Sequence, residues 1–153
     1  MMLGGILTPE NTIMETTGLR LKDIMTREVH TVGRNDQLAV ADALMKQARI
    51  RHLPVLDSDG AVCAVLSQRD LFRGALLRAL GFGGRAEDKM LKQIAVKEIM
   101  SDQVHTAPPD TPVAEAARFM IERKIGCLPV VEGGKLVGLV TETDFVRLIA
   151  EGR

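Results

Sequence analysis

The chain has 153 residues, of which 46% are hydrophobic and 26% are charged, a composition typical of one soluble globular domain or two small ones. The formal net charge is +0, so no general electrostatic attraction draws the chain toward nucleic acid or an anionic membrane. Aromatic residues make up only 3%, which leaves few side chains to stack on bases, and no apolar run approaches the length of a membrane span.

The first 20 residues are poorly patterned and are predicted to form an N-terminal arm. Residues 1–6 are apolar, but the stretch is short and lacks a basic flank, so we expect no signal peptide. Cys63 and Cys127 lie inside apolar strand patterns and are expected to be buried thiols of a reducing compartment, not a disulfide. These features predict a cytoplasmic protein.

From Lys22 onward the chain repeats itself. The segment Lys22–Thr26 returns 75 residues later as Lys97–Ser101, and Leu53–Val55 returns as Leu128–Val130. A period this long with matched turns indicates a duplicated supersecondary unit. We divide the chain into repeat 1 (21–80), a glycine-rich linker (81–95) and repeat 2 (96–153).

Each repeat predicts the order β-α-β-β-α. The expected short strands are 28–32 and 103–107, the hairpin strands are 52–57, 61–67, 127–132 and 135–141, and the final helices are 69–80 and 143–151. Both hairpin strands are mostly apolar on both alternations, which indicates that both faces are covered. We expect each small sheet to lay one face on the helices of its own repeat.

The first helix of each repeat shows an apolar stripe at helical spacing. The stripe residues are Leu38, Ala41, Met45 and Ala48 in repeat 1, and Val113, Ala116, Ala117, Met120 and Ile121 in repeat 2. The predicted N-caps are Asn35 or Asp36 in repeat 1, and Asp110 or Thr111 in repeat 2.

A strand runs into a helix at the same place in both repeats, as Ser67-Gln68-Arg69-Asp70 and as Thr141-Glu142-Thr143-Asp144. Free N–H groups at a helix N-terminus suit a phosphate or a sugar, and a carboxylate can accept ribose hydroxyls. The alternative is a capping box, in which hydroxyl and carboxylate satisfy backbone N–H groups. Taken alone, the spacing leaves both interpretations open.

Three features resemble the tandem CBS-domain pair, or Bateman module, over residues 20–150. They are the Ile-Met-Thr/Ser leading segment and the Leu-Pro-Val strand, each present twice, and the Gly-Leu-Val-Thr-x-x-Asp exit strand of repeat 2, whose counterpart in repeat 1 is Ala-Val-Leu-Ser-x-x-Asp. The resemblance implies an α/β (α+β) fold in which two β-α-β-β-α repeats pack about a pseudo-twofold axis and leave two clefts. It also implies a regulatory sensor of adenosine nucleotides or related adenosyl compounds (AMP, ADP, ATP or S-adenosylmethionine). A homodimer and a separate effector protein are the implied partners.

The resemblance implies one stronger site, formed by Met25, Thr26, Arg51, His52, Pro54, Thr141, Thr143 and Asp144. It implies a second, weaker site, formed by Met100, Ser101, Pro129, Ser67, Arg69 and Asp70. In this scheme the two aspartates take ribose hydroxyls, Ser67 and Thr141 face the phosphate, and the two methionines edge the base.

The two predicted sites differ in their cations. Arg51 and His52 are expected to reach the phosphate of the ligand at Asp144, whereas their equivalents in repeat 2, Gly126 and Cys127, carry no cation. Ala64 also replaces Gly138, which predicts a tighter second site. For every residue assigned to the sites, a plain structural role in core, cap or solvated strand end is the alternative.

Other functions are less well supported by the sequence. No segment pairs a nucleophile with a base and an orienting group, so we expect no enzyme, and a nucleotide hydrolase is a weak alternative. His30 and His105 are repeat-equivalent and belong to no cluster with metal-ligand spacing. Nucleic-acid binding is disfavoured by the neutral charge. The main competing function is a structural or dimerisation module that binds no ligand and regulates a partner protein.

Overall fold

The computed structural model describes residues 18–79, 91–101 and 103–152. Most of the predicted N-terminal arm and the glycines of the linker lie outside these residues. The helices are α1 (Leu21–Ile24), α2 (Leu38–Ala48), α3 (Gln68–Ala79), α4 (Val113–Arg123) and α5 (Glu142–Ala150), and the strands are β1 (Val32–Gly33), β2 (His52–Leu56), β3 (Val62–Ser67), β4 (Cys127–Glu132) and β5 (Lys135–Thr141). A single 3₁₀ turn covers Val96–Glu98. The predicted mixed α/β class is confirmed.

The two repeats share one parallel contact at equivalent positions of their sheets. In repeat 1, β1 runs parallel to β2 with Val32 opposite Val55, and β2 pairs antiparallel with β3. In repeat 2, β4 pairs with β5, and a parallel bridge between Ala107 and Val130 stands at the equivalent of the β1–β2 contact. We predicted first strands over 28–32 and 103–107. In the structure only Val32 of the first range and Ala107 of the second pair with another strand, and the rest is irregular.

Helices α2 and α4 bury the predicted stripes in part. Leu38, Ala41 and Met45 are buried on α2, and Val113, Ala116 and Met120 are buried on α4. The prediction for Ile121 is wrong, because its side chain is 75% exposed, one position beyond the buried face. Within the described part of the chain, no helix is long and apolar enough to cross a membrane.

The predicted side-chain caps of α2 are wrong, because Gln37 is the N-cap and makes no side-chain cap hydrogen bond. Asp36 instead accepts the Gly33 N–H at 2.7 Å, which closes the turn before the helix. The first helical N–H, that of Leu38, donates to the Ile94 carbonyl at 2.8 Å. A backbone group from the segment that leads into repeat 2 therefore caps a helix of repeat 1.

The same arrangement recurs at α4, whose N-cap is Pro112 and not Asp110 or Thr111. The Val113 N–H donates to the Leu19 carbonyl at 3.0 Å. Asp110 is engaged by Lys22 Nζ at 2.7 Å, and the Thr111 hydroxyl donates to the Pro108 carbonyl at 2.8 Å. Both predicted capping side chains thus have other partners.

Leading segments are exchanged between the repeats throughout this region. The N–H groups of Leu21 and Val96, which are repeat-equivalent, donate to the carbonyls of Thr111 and Asp36 at 3.0 and 2.8 Å. Both side chains are fully buried. Each sheet does pack on the helices of its own repeat, as expected. The segment that leads into the other repeat adds to each core, through Val96 in one and Leu21 in the other.

The described chain divides into two compact units that cut across the sequence repeats. The first unit comprises residues 18–27, 106–132 and 137–152, and the second comprises 28–79, 91–101, 103–105 and 133–136. The first core is built around Leu21, Leu128 and Val140. The second core includes Leu91 and Ile94, which the sequence analysis had assigned to the linker.

This exchange predicts a large effect of a short segment on stability. We expect Leu21→Ala to lower the free energy of unfolding by about 2–5 kcal/mol, because a fully buried side chain of the first core is lost. Ile121→Ala removes a similar volume from an exposed site and should change the free energy by less than about 0.5 kcal/mol. Urea unfolding followed by circular dichroism measures both, and equal effects would contradict the exchange.

Candidate ligand-binding site

The structure sorts the predicted site residues by compact unit. The first unit holds Met25, Thr26, Pro129, Thr141, Thr143 and Asp144. The second unit holds Arg51, His52, Pro54, Ser67, Arg69, Asp70, Met100 and Ser101. Each unit therefore combines the Met-Thr/Ser step of one repeat with the Ser/Thr-x-x-Asp step of the other. The assignment of Arg51 and His52 to the site of Asp144 stays a prediction.

Thr26 and Leu139 join the leading segment to β5 within the first unit. Each donates its backbone N–H to the carbonyl of the other at 2.9 Å. This two-way bridge holds the half-buried Met25 beside Gly138, where an added Cβ would lie 2.8 Å from Met25 Cγ. The space that the glycine leaves is thus filled by Met25, a flexible side chain that can rearrange around a ligand.

Asp144 lies in the first turn of α5 and is only 8% exposed. Its Oδ2 atom accepts the backbone N–H of Thr141 at 2.8 Å and the Thr141 hydroxyl at 3.3 Å. Its Oδ1 atom faces Arg147 Nη1 at 3.5 Å. The capping interpretation is therefore correct for Oδ2, but a carboxylate has two oxygens, and Oδ1 retains the capacity to accept a ligand hydroxyl.

Asp70 makes a closely related cap at the start of α3. Its Oδ2 atom accepts the Ser67 N–H at 3.1 Å and the Ser67 hydroxyl at 2.6 Å, and the Ser67 hydroxyl accepts the Asp70 N–H at 3.0 Å. The short contact between hydroxyl and carboxylate is characteristic of a charge-assisted hydrogen bond. As at Asp144, these cap bonds go to Oδ2, so the cap does not exclude the predicted contact of Oδ1 with a hydroxyl donor.

The basic residues at the start of β2 lie next to the step of their own repeat. The Arg51 carbonyl accepts the Gln68 N–H at 2.8 Å, and His52 stands opposite Ser67 in the β2–β3 ladder. Repeat 2 makes the equivalent bond between the Gly126 carbonyl and the Glu142 N–H at 3.1 Å. Both strand starts are thereby fixed to the helix N-terminus that they flank.

The remaining predicted residues differ in accessibility. Pro54 and Pro129 are fully buried within their strands, and the Pro129 carbonyl accepts the Ala107 N–H at 3.1 Å. Met100 is half-buried against the second core. Thr143, Arg69 and Ser101 are exposed. The two prolines are buried, whereas Thr143, Arg69 and Ser101 are open to solvent. The roles of all these residues in ligand binding stay predictions.

Cys127 is a neighbour of the site whose chemistry the sequence analysis did not identify. It is buried at the start of β4, the position equivalent to His52. Burial, reinforced by the nearby negative charge of Asp144, raises the pKa of its thiol to about 12. The thiol is therefore protonated at neutral pH and is unsuited to act as a nucleophile.

Comparison with known proteins agrees with this geometry. The family model described as the CBS domain matches residues 21–76 and again 96–151. The chain therefore belongs to the CBS domain family and carries two copies of the domain, which confirms the resemblance seen in the sequence.

Two relatives carry the match within longer chains. An uncharacterized protein of Methanocaldococcus jannaschii is 33% identical over 144 residues, which is 91% of this chain and 33% of that protein. A homoserine O-acetyltransferase of Methanohalobium evestigatum is 30% identical over 132 residues, or 86% of this chain and 24% of the enzyme. The chain thus spans a third or less of the length of these relatives.

Two similar solved structures contain adenosine compounds. The CBS domain pair of protein MJ0100, in complex with 5′-methylthioadenosine and S-adenosyl-L-methionine, has a TM-score of 0.71 and 27% identity, covering 88% of this chain and 98% of that one. The protein CBSX2, in complex with AMP, has the same TM-score, identity and coverage.

The environment of Cys127 predicts slow alkylation. At pH 8 a thiol with this pKa is ionised in roughly one molecule in ten thousand. In a Cys63→Ser background, we expect iodoacetamide to label Cys127 at least about a hundredfold more slowly in the folded protein than in urea. Mass spectrometry of timed samples measures the rate, and similar rates in both conditions would contradict the burial of the thiol.

Proposed function

We propose that the chain is a regulatory module that binds an adenosine-containing ligand, with AMP, ADP, ATP and S-adenosylmethionine as the candidate compounds. The observation that carries the proposal is the buried Asp144 carboxylate, which offers Oδ1 at a helix N-terminus while Oδ2 completes the cap. A carboxylate held in this way needs no rearrangement to accept a ribose hydroxyl, so little ordering cost opposes binding. The complexes of the two structural relatives support the choice of ligand class.

The elements around Asp144 suit the rest of such a ligand. Thr141 and the positive end of the α5 dipole favour a phosphate, although the Glu142 N–H is already bonded to the Gly126 carbonyl. Met25 provides an adaptable apolar surface for the base. Arg51 and His52 are proposed as the cationic partners of the phosphate, and the Ser67–Asp70 step as a second, weaker site.

A structural module without a ligand is the alternative, and one observation favours it. Met25 already occupies the space over Gly138, and both site carboxylates are engaged as caps. A chain of this kind would regulate a separate effector protein through protein contacts alone. The alternative predicts no stabilisation by any adenosine compound.

We infer a regulatory and not a catalytic role. The similarity to homoserine O-acetyltransferase covers 24% of that enzyme, so its activity is not transferred to this chain. The buried thiol nearest to the site, Cys127, is protonated because burial raises its pKa. Cys127 therefore supplies no activated nucleophile next to Asp144, and we assign Asp144 a role in binding.

Asp144→Asn tests the proposal, because the amide oxygen can still accept the Thr141 N–H while the charge at Oδ1 is lost. We expect the binding free energy of the preferred nucleotide to become less favourable by about 1–3 kcal/mol. Isothermal titration calorimetry with AMP, ADP, ATP and S-adenosylmethionine measures this change. Thermal melting without ligand shows whether the variant remains folded.

Asp70→Asn is the matched control, since it makes the same change at the predicted weaker site. It should affect the highest-affinity binding event less than Asp144→Asn does. An unchanged dissociation constant in Asp144→Asn would exclude Asp144 from the site. Failure of all four compounds to raise the melting temperature of the wild-type protein at millimolar concentration would support the structural module.

Association into a homodimer is also proposed. Phe72 on α3 and Val146 on α5 occupy equivalent positions and are 62% and 66% exposed, and large exposed apolar side chains often mark interaction surfaces. We expect the wild-type chain to be dimeric and Phe72→Ser combined with Val146→Ser to weaken the dimer. Light scattering coupled to size-exclusion chromatography measures the mass, and a monomeric wild-type protein would contradict this proposal.

A further inference from the structure

Arg147 contacts the same carboxylate oxygen that the proposed function assigns to the ligand. Its Nη1 atom lies 3.5 Å from Asp144 Oδ1, and the two side chains are 59% and 8% exposed. Both hydrogen bonds from Thr141 go to Oδ2. Oδ1 therefore has one lone pair directed toward Arg147 and one left for a hydroxyl donor.

The sequence places an arginine three residues after both site aspartates, yet the two arginines differ in the structure. Arg73 follows Asp70 as Arg147 follows Asp144. In the described residues, the ion pair between Arg147 and Asp144 has no counterpart between Arg73 and Asp70. Only the carboxylate of repeat 2 is thus both capped by a hydroxyl residue and neutralised by a cation.

The charge balance at Asp144 bears on which adenosine compound can bind. When a carboxylate holds the ribose, the charge on the 5′ substituent lies near the charge of that carboxylate. The two charges interact because the carboxylate is buried and solvent screens it only in part. An unpaired carboxylate would repel a 5′-phosphate and attract a sulfonium cation. A carboxylate paired with Arg147 loses most of that bias, because the net charge of the pair is zero.

We propose that Arg147 determines ligand specificity by pairing with Asp144 Oδ1, so that the site accepts adenosine phosphates in preference to cationic S-adenosylmethionine. This rests on the proposed function, in which Asp144 binds the ribose. Arg147 keeps its contact with one lone pair of Oδ1 while the ribose hydroxyl takes the other. Its exposed guanidinium is also free to approach the phosphate that the helix N-terminus attracts.

Three ligands separate the effect of charge from that of shape. AMP, adenosine and S-adenosylmethionine share the nucleoside but carry negative, zero and positive charge at the 5′ side. The wild-type protein should bind AMP more tightly than S-adenosylmethionine. Arg147→Gln should raise the dissociation constant of AMP about fivefold, leave that of adenosine within about twofold and lower that of S-adenosylmethionine. Calorimetry on the full chain at low and at 0.5 M salt measures all three, and the difference between ligands should shrink in salt.

Matched variants keep the result interpretable. Arg147→Lys retains the charge and should keep the preference for AMP, whereas Arg118→Gln removes a charge from an exposed position of α4 in the same compact unit and should not change it. Arg73→Gln makes the same substitution after Asp70 and should leave the preference unchanged. Melting of each variant without ligand reports its folding.

The outcomes distinguish this inference from the function on which it rests. If the wild-type chain binds adenosine compounds but prefers S-adenosylmethionine to AMP, the specificity role of Arg147 is overturned while the proposed function stands. If Arg147→Gln weakens all three ligands equally, Arg147 acts only by supporting the fold of the site, and the charge argument fails. If the wild-type chain binds none of the three, the specificity role of Arg147 is overturned, and if it also binds neither ADP nor ATP, the proposed function is refuted as well.

Discussion

Two backbone hydrogen bonds, from Leu38 N–H to the Ile94 carbonyl and from Val113 N–H to the Leu19 carbonyl, are the constraint on which the architecture depends. Each satisfies a buried N–H at a helix start, where no intrahelical acceptor exists. Because the acceptor in both cases comes from the segment that leads into the other repeat, neither repeat caps its own first helix. The duplication has therefore produced two interdependent bodies and not two separate domains.

The same exchange decides which residues of the candidate site meet. The bridge between Thr26 and Leu139 brings the leading segment of repeat 1 to the last strand of repeat 2. Met25 consequently packs on Gly138, a position where a side chain would collide with it. The strand–helix step of one repeat and the Met-Thr step of the other thus form one local structure, which is also part of the core.

The surroundings of Asp144 show how a single carboxylate can stabilise a helix and still be able to accept the proposed ligand. One oxygen caps α5, the other faces Arg147, and the carboxylate charge helps to keep the Cys127 thiol protonated. Because the cap uses Oδ2 and the proposed ligand contact uses Oδ1, the two roles that the sequence pattern left open do not exclude each other. It also explains why a Ser/Thr-x-x-Asp spacing alone cannot distinguish the two roles, since both require the same residues at the same helix position.

The sequence by itself determined the duplication, the α-β-β-α part of each repeat and the family. Local periodicity predicted both hairpins and the burial of Leu38, Ala41, Val113 and Met120. This is possible because strands and amphipathic helices each place apolar residues at a characteristic spacing in the sequence. The exposure of Ile121 and the shortness of the first strands were visible only in the structure. The helix caps and the burial of Leu91 and Ile94 followed from contacts between segments that are far apart in the sequence. No local pattern encodes those contacts. Tertiary structure alone decided that a backbone carbonyl, not Asp36 or Thr111, caps each helix, because the acceptor lies far away in the sequence. It also decided that Arg147 lies against one oxygen of Asp144, because, among the residues that the structure describes, the same spacing in Asp70 and Arg73 gives no such contact.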